Sequence, residues 1–170
     1  MKKHIGLILL VIGIIGFFYA ANDKNEKEIF SKRISSTYLE KMEIPVLAEQ
    51  TYEIKFWGVD EEMTGNYGAP HFESQIKILD SQKSVLFNQE LVSIHETETG
   101  GKRVTHDGIS YSHTPTMDET IEIQAQINRG DYLDIEVYKN LSSEADALPG
   151  FSIIIALVGL VLFLRGRKKA

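Results

Sequence analysis

The stretch TIEIQAQINRGDYLDIEV, residues 120–137, decides the fold. Thr120 to Ile127 alternates polar and apolar side chains without a break, and Leu133-Asp134-Ile135-Glu136-Val137 does the same. A period of two sends every second side chain to one face of a strand, so each segment reads as a strand buried on one side and wetted on the other. Asn128-Arg129-Gly130-Asp131 between them reads as a turn, with Gly130 free to take a positive φ. One-sided strands of this kind belong to antiparallel sheets packed on one face.

Working outward, Tyr52-Glu53-Ile54-Lys55-Phe56 alternates cleanly, and Phe72 to Leu79 turns Ile76 and Ile78 inward. Ser84 to Ile94 alternates through Val85 and Phe87, then changes phase before Leu91, as a bulge would make it. Val104 to Tyr111 is a weaker segment. About six or seven short strands punctuated by turns fit an antiparallel β-sandwich over residues 46–140. Upstream, Ile34, Tyr38 and Met42 recur at fours, and Ile29 extends the pattern loosely. That suggests a short helix within a linker spanning residues 22–45, stopped by Pro45, although Ile34 to Leu39 suits a first strand equally. Gly58 to Pro70 and Thr97 to Arg103 read as long connections.

Charge is unevenly spread. The chain has 170 residues and a net charge of −6, yet residues 22–147 hold all 24 Asp and Glu and only 12 of the 18 Lys and Arg. The acidic centre lacks the clustered cations that phosphate binding needs, which excludes nucleic acid as a partner. There is no cysteine, so neither disulfides nor thiolate chemistry is available. A packed core must hold the domain, and the central region is long enough to form one.

Both ends are apolar. Ile5 to Ala21 carries no charge and follows Lys2-Lys3-His4, and residues 1–21 read as a transmembrane anchor or a signal peptide. A cut after Ala20 or Ala21 would place Phe18 or Tyr19 where a small residue is required, which favours an uncleaved signal-anchor. A short linker, 141–148, leads to a second apolar segment, 149–164, and a basic tail, 165–170. That segment is short for a span, but Arg165, Arg167, Lys168 and Lys169 can snorkel. Cationic flanks at both ends keep both termini cytoplasmic and place the acidic centre outside, at the cell surface.

Pro149-Gly150-Phe151, an apolar stretch and a basic tail together resemble an archaeal C-terminal sorting signal of the PGF type. That resemblance implies recognition by a membrane enzyme of the archaeosortase class, removal of the tail and replacement by a lipid anchor. The long Thr-rich linker usual before such signals is missing. The strand-rich centre, near Ile78 to Phe87 and Ile127 to Asn140, resembles the GOLD-like sandwich of the p24 cargo-receptor family. The resemblance implies a lumenal sandwich with a C-terminal span, but that family's paired cysteines and coiled coil are absent here.

Several clusters could carry chemistry. His95, His106 and His113 with Asp107 could ligate a transition metal if residues 85–95 and 104–111 form a hairpin, although no recognised zinc spacing is present. Ser110, His113 and Asp107 could be named as a hydrolase trio but lack any nucleophile elbow. Asp60, Glu61, Glu62 and Asn66 supply oxygens for calcium in a glycine-bearing loop, without the EF-hand spacing. Trp57 breaks the inward phase of Tyr52, Ile54 and Phe56. With Tyr67 and Phe72 nearby, it reads either as a residue tucked over the core edge or as a partner-binding anchor. Asn140-Leu141-Ser142 is a glycosylation sequon. The sequence implies no cofactor. The leading reading is a membrane-anchored, extracytoplasmic binding or structural module whose partners are the lipid bilayer and a membrane or surface protein. The alternative is a metal-dependent enzyme or metal-binding protein using the 95–113 cluster.

Overall fold

The computed structural model describes residues 2–63, 71–93, 96–99, 102–140 and 148–167. They form two compact units, one helical and drawn from the two chain ends, the other spanning Glu28–Asn140.

The helical unit pairs α1 (Lys2–Lys27) with α2 (Leu148–Arg167). Among the described residues one helix, over His4–Lys27, is long and apolar enough to cross a membrane, while α2 carries a shorter apolar stretch, Gly150–Arg165. The polar residues after Ala21 continue α1 instead of forming the expected linker. Asn22 Nδ2 donates to Glu26 at 2.6 Å and Lys27 Nζ pairs with Asp23 at 2.8 Å, both one helical turn apart. Such i,i+4 pairs support an exposed final turn, and Lys24 and Lys27 suit the negative end of the helix dipole.

Small residues hold the two helices together. A Cβ on Gly6 would lie 2.4 Å from the Phe163 nitrogen, one on Gly13 2.5 Å from the Ala156 nitrogen, and one on Gly159 2.4 Å from the Leu10 nitrogen. Gly16 faces Ser152. Rising numbers on α1 meet falling numbers on α2, so the helices run antiparallel. Gly6, Gly13 and Ala20 recur every seven residues and are buried, whereas Ile8, Ile15, Phe18, Ile154 and Leu157 are exposed. Backbone-close packing through small residues is how helices associate where burying apolar side chains against each other gains little. A Cβ on Gly16 would lie 3.7 Å from that of Ser152, within the disulfide range. The Gly16→Cys/Ser152→Cys chain, which has no other thiol, should therefore oxidise to an intramolecular disulfide, seen as a reductant-sensitive shift in gel mobility.

The β unit has nine strands: β1 (Glu28–Ile34), β2 (Glu40–Val46), β3 (Tyr52–Met63), β4 (Phe72–Leu79), β5 (Val85–Ser93), β6 (Glu96–Thr99), β7 (Lys102–His113), β8 (Glu119–Arg129) and β9 (Tyr132–Lys139). They form two antiparallel sheets, ordered β1-β9-β3-β7-β6 and β2-β8-β4-β5. The inner faces meet in one core built on Tyr52, Ile54, Phe56, Ile76, Ile78, Ile121, Ile123, Ile127, Leu133 and Ile135. Each alternates with a more polar neighbour, so strand period and burial agree.

Four features depart from the sequence reading. Residues 28–34 and 40–46 are strands, not a helix; Met42, Ile44 and Val46 are buried by alternation along β2, Ile34 is buried at the end of β1, and Tyr38, the middle of the fourfold series, is exposed in the connection between them. The phase change expected before Leu91 is absent. Phe87, Gln89, Leu91 and Ser93 share one register against β4, Gln89 standing exposed on an edge strand, and the irregularity lies where Ile78/Leu79 meet Phe87/Val85. Gly58 to Met63 and Glu96 to Thr99 are strand where connections were expected, because β7 pairs with β3 as far as Met63↔Lys102 and with β6 as far as Thr99↔Lys102. The Asn128–Asp131 turn does form, with Gly130 at φ 119°, but it joins strands of different sheets. Asp131 anchors it, its nitrogen donating to the Val59 carbonyl at 3.0 Å and its carboxylate accepting from the Glu61 nitrogen at 2.8 Å. Pro45 lies within β2, an edge strand, where a missing N–H is tolerated.

Glu122, on the outer face of β8, is buried beneath long side chains. It accepts hydrogen bonds from Lys83 and, at 2.6 Å, from Gln124, with Lys41 Nζ 3.9 Å away. The bonds from Lys83 and Gln124 hold its carboxyl below the usual carboxylate range. A lowered folded-state value stabilises the fold above the unfolded value, and this contribution is lost as pH falls through the folded one. From about pH 5 to about pH 3, the urea midpoint of the native chain should therefore fall more steeply than that of Glu122→Gln.

Candidate binding surface

β3 is hydrogen-bonded on both edges, to β9 and to β7, and its pleat sorts its side chains rigidly. Tyr52, Ile54 and Phe56 are buried inward, while Trp57 points to the outer face and stays 48% exposed. Register places Arg33, Asp134, Trp57 and Gly108 side by side across four strands, with Tyr132, Val59 and His106 in the next row.

The indole packs against Gly108. A Cβ on Gly108 would fall 2.5 Å from its Cε3 and 2.9 Å from its Cζ3, so the ring occupies space that a side chain at 108 would fill. The His106 ring sits 5.2 Å away, centroid to centroid, tilted by 35°. On the other side Arg33 grips Asp134 through two bonds of 2.7 Å, and its guanidinium lies 3.8 Å over the Tyr132 ring. The bonds to Asp134 raise the Arg33 pKa. Lys102, likewise raised, pairs with Glu61 at 2.8 Å. Lys55, on the same face, lies 3.6 Å from Glu53, with Glu136 opposite it on β9.

The residues singled out in the sequence are placed as follows. Trp57 stands on this face and Tyr67 lies outside the described residues. Phe72 is not a rim anchor. It is fully buried, its ring filling space beside Gly58 and Gly130, because its position on β4 has the inward phase. Of the metal candidates, His95 lies outside the described residues. The hairpin that would have set it against His106 is not the one formed, since β5 pairs with β4 and β7 with β3 and β6. His106 and His113 occupy opposite faces of β7, seven residues or roughly 23 Å apart. Asp107 shares the phase of His113 and accepts from the Gly108 nitrogen at 2.7 Å. Ser110 has the opposite phase, so the hydrolase trio does not meet. Among the described residues no three His, Asp or Glu side chains converge as a metal site.

The calcium candidates sit on a strand, not a loop. Asp60 is buried and accepts from the His71 nitrogen at 2.8 Å, and Glu61 faces the other way toward Lys102. Glu62 belongs to the same strand, and Asn66 lies outside the described residues. Asn140 adopts φ 53° and its amide is engaged, accepting from the Thr51 nitrogen at 3.1 Å and donating to Gln50 at 2.6 Å. Pro149, Gly150 and Phe151 form the first turn of α2, with Phe151 exposed.

Sequence reasoning missed Arg33, Gly108, Tyr132 and Asp134 as companions of Trp57. It also missed a polar recess at one end of the sandwich, where His113 Nε2 lies 3.0 Å from Glu119 and Ser81 Oγ donates to the same carboxylate at 3.5 Å. Ser81 thus bonds to the carboxylate and not to the imidazole, which is not the order an activated nucleophile requires. No family model matches the chain, and no curated protein matches it significantly.

The two aromatic positions should separate on substitution. Phe72→Ala should cost about 3–5 kcal/mol of stability, and Trp57→Ala about 1 kcal/mol or less, read from urea unfolding of the detergent-solubilised chain.

Proposed function

We propose that the chain is a two-pass membrane protein with both termini in the cytoplasm, whose acidic β-sandwich faces outward and serves as a binding or structural module for a partner protein. One observation carries this reading: α1 and α2 pack against each other through Gly6, Gly13, Gly16, Ser152, Ala156 and Gly159, yet leave large apolar side chains such as Ile15, Phe18, Ile154 and Leu157 exposed. Exposed apolar surface on this scale is stable in lipid and unfavourable in water. α1 serves as an uncleaved anchor because removing it would strip α2 of its seam. Lys2-Lys3 and the Arg165–Lys169 cluster set the orientation.

The Trp57 face is the contact surface. Its half-exposed indole is held by the sheet and offers a fixed aromatic surface to a partner. The metal-enzyme alternative is not carried forward, since His106 and His113 stand apart.

Protease added to intact cells should digest the sandwich without prior lysis, and alkaline carbonate should leave the chain in the membrane pellet. Intact mass should equal that of all 170 residues. Release by carbonate, or protection until lysis, would refute the topology; a mass short by the first 21 residues would show α1 to be a signal peptide, and loss of the tail with a lipid increment would show sorting at Pro149-Gly150-Phe151.

A further inference from the structure

We infer that the Trp57 face binds a neutral saccharide, so that the partner is recognised through a sugar chain it carries. This deepens the partner reading and rests on the sheet facing outward.

The platform suits one face of a pyranose. Trp57 packs against Gly108 and remains 48% exposed, which leaves aromatic surface open to a ligand. The C–H groups on one side of a sugar ring carry partial positive charge and meet the negative π-face of an indole, while the hydroxyls project sideways. Those hydroxyls would find hydrogen-bonding side chains around the ring: His106 on one flank, Asp134 and Arg33 on the other.

Charge selects against an anion. Arg33 is paired with Asp134, Lys102 with Glu61 and Lys55 with Glu53, so each of these cations already has a carboxylate beside it and a phosphate would have to displace one. Nor does it resemble the centre of a protein–protein contact. The neighbours of Trp57 on this face include Asp134, His106, Lys55 and Ser110, not the apolar ring that excludes water around a hot spot. A neutral polyhydroxylated ring gains from both the exposed indole and its polar surround. Since the platform is open, an internal unit of a longer chain can lie across it.

The chain has a single tryptophan, so its emission reports this site alone. The full chain in detergent micelles would be titrated with neutral hexasaccharides of glucose, mannose and N-acetylglucosamine, and in parallel with a proline-rich decapeptide, the rival ligand for a flat aromatic surface. At least one hexasaccharide should give a saturable change in emission that persists in high salt, because the ligand carries no charge. By calorimetry, Trp57→Ala should weaken that binding more than about tenfold. Gly108→Ala, which keeps the indole but forces it from its place, should do the same with an unchanged circular dichroism spectrum. Should Gly108→Ala fail to fold, His106→Ala and Arg33→Ala take its place, with a smaller loss expected from each. Silence with all three sugars would overturn the inference, as would sugar binding that survives Trp57→Ala. Binding of the peptide alone would overturn it while leaving a protein partner in place. Protease and carbonate results test topology without any sugar, so failure of one reading is distinguishable from failure of the other.

Discussion

The backbone pairing of β3 on both edges is the constraint from which the rest of the β unit follows. A strand hydrogen-bonded to β9 and β7 over most of its length cannot rotate or slip without moving every side chain to the wrong face. One phase of its pleat supplies Tyr52, Ile54 and Phe56 to the core; the other supplies Trp57, Val59 and Glu61 to the outer face. The outward indole is therefore a consequence of the same register that buries Phe56 next to it. Arg33 and Asp134 arrive beside it by the same route, carried on β1 and β9 at matching positions.

The two units meet the problem of cohesion differently. In the sandwich, branched and aromatic side chains fill the space between two sheets, and water is excluded by volume. In the helical unit the contact is made by what is missing: Gly6, Gly13 and Gly159 let the backbones approach until a methyl group would not fit. The first mode relies on water as the surrounding medium; the second works where the surroundings are themselves apolar.

Legibility in the sequence followed burial. Segments with one dry face, such as Tyr52 to Phe56, Thr120 to Ile127 and Leu133 to Val137, announced themselves by alternation. β6 and the far ends of β3 and β7 did not, because their sequences do not alternate polar with apolar and their pairing rests on backbone bonds and polar contacts such as Lys102 with Glu61. The outward phase of Trp57 was readable from its neighbours. Its companions were not, since Arg33, Gly108 and Asp134 lie far apart in the chain and meet only through strand order. The histidines misled for the complementary reason: proximity in sequence, from His106 to His113, becomes separation once the segment is extended.

Pro45 has a consequence for how the smaller sheet can grow. A strand laid along β2 would meet a residue that cannot donate, preceded by the charged Lys41 and Glu43, so its own carbonyl row would be left incomplete. At the opposite border, β5 offers a run from Val85 to Gln89 with neither proline nor charge. Self-assembly by edge-to-edge addition is thereby closed on one flank and left open on the other, a polarity that a single imino acid imposes on the whole layer.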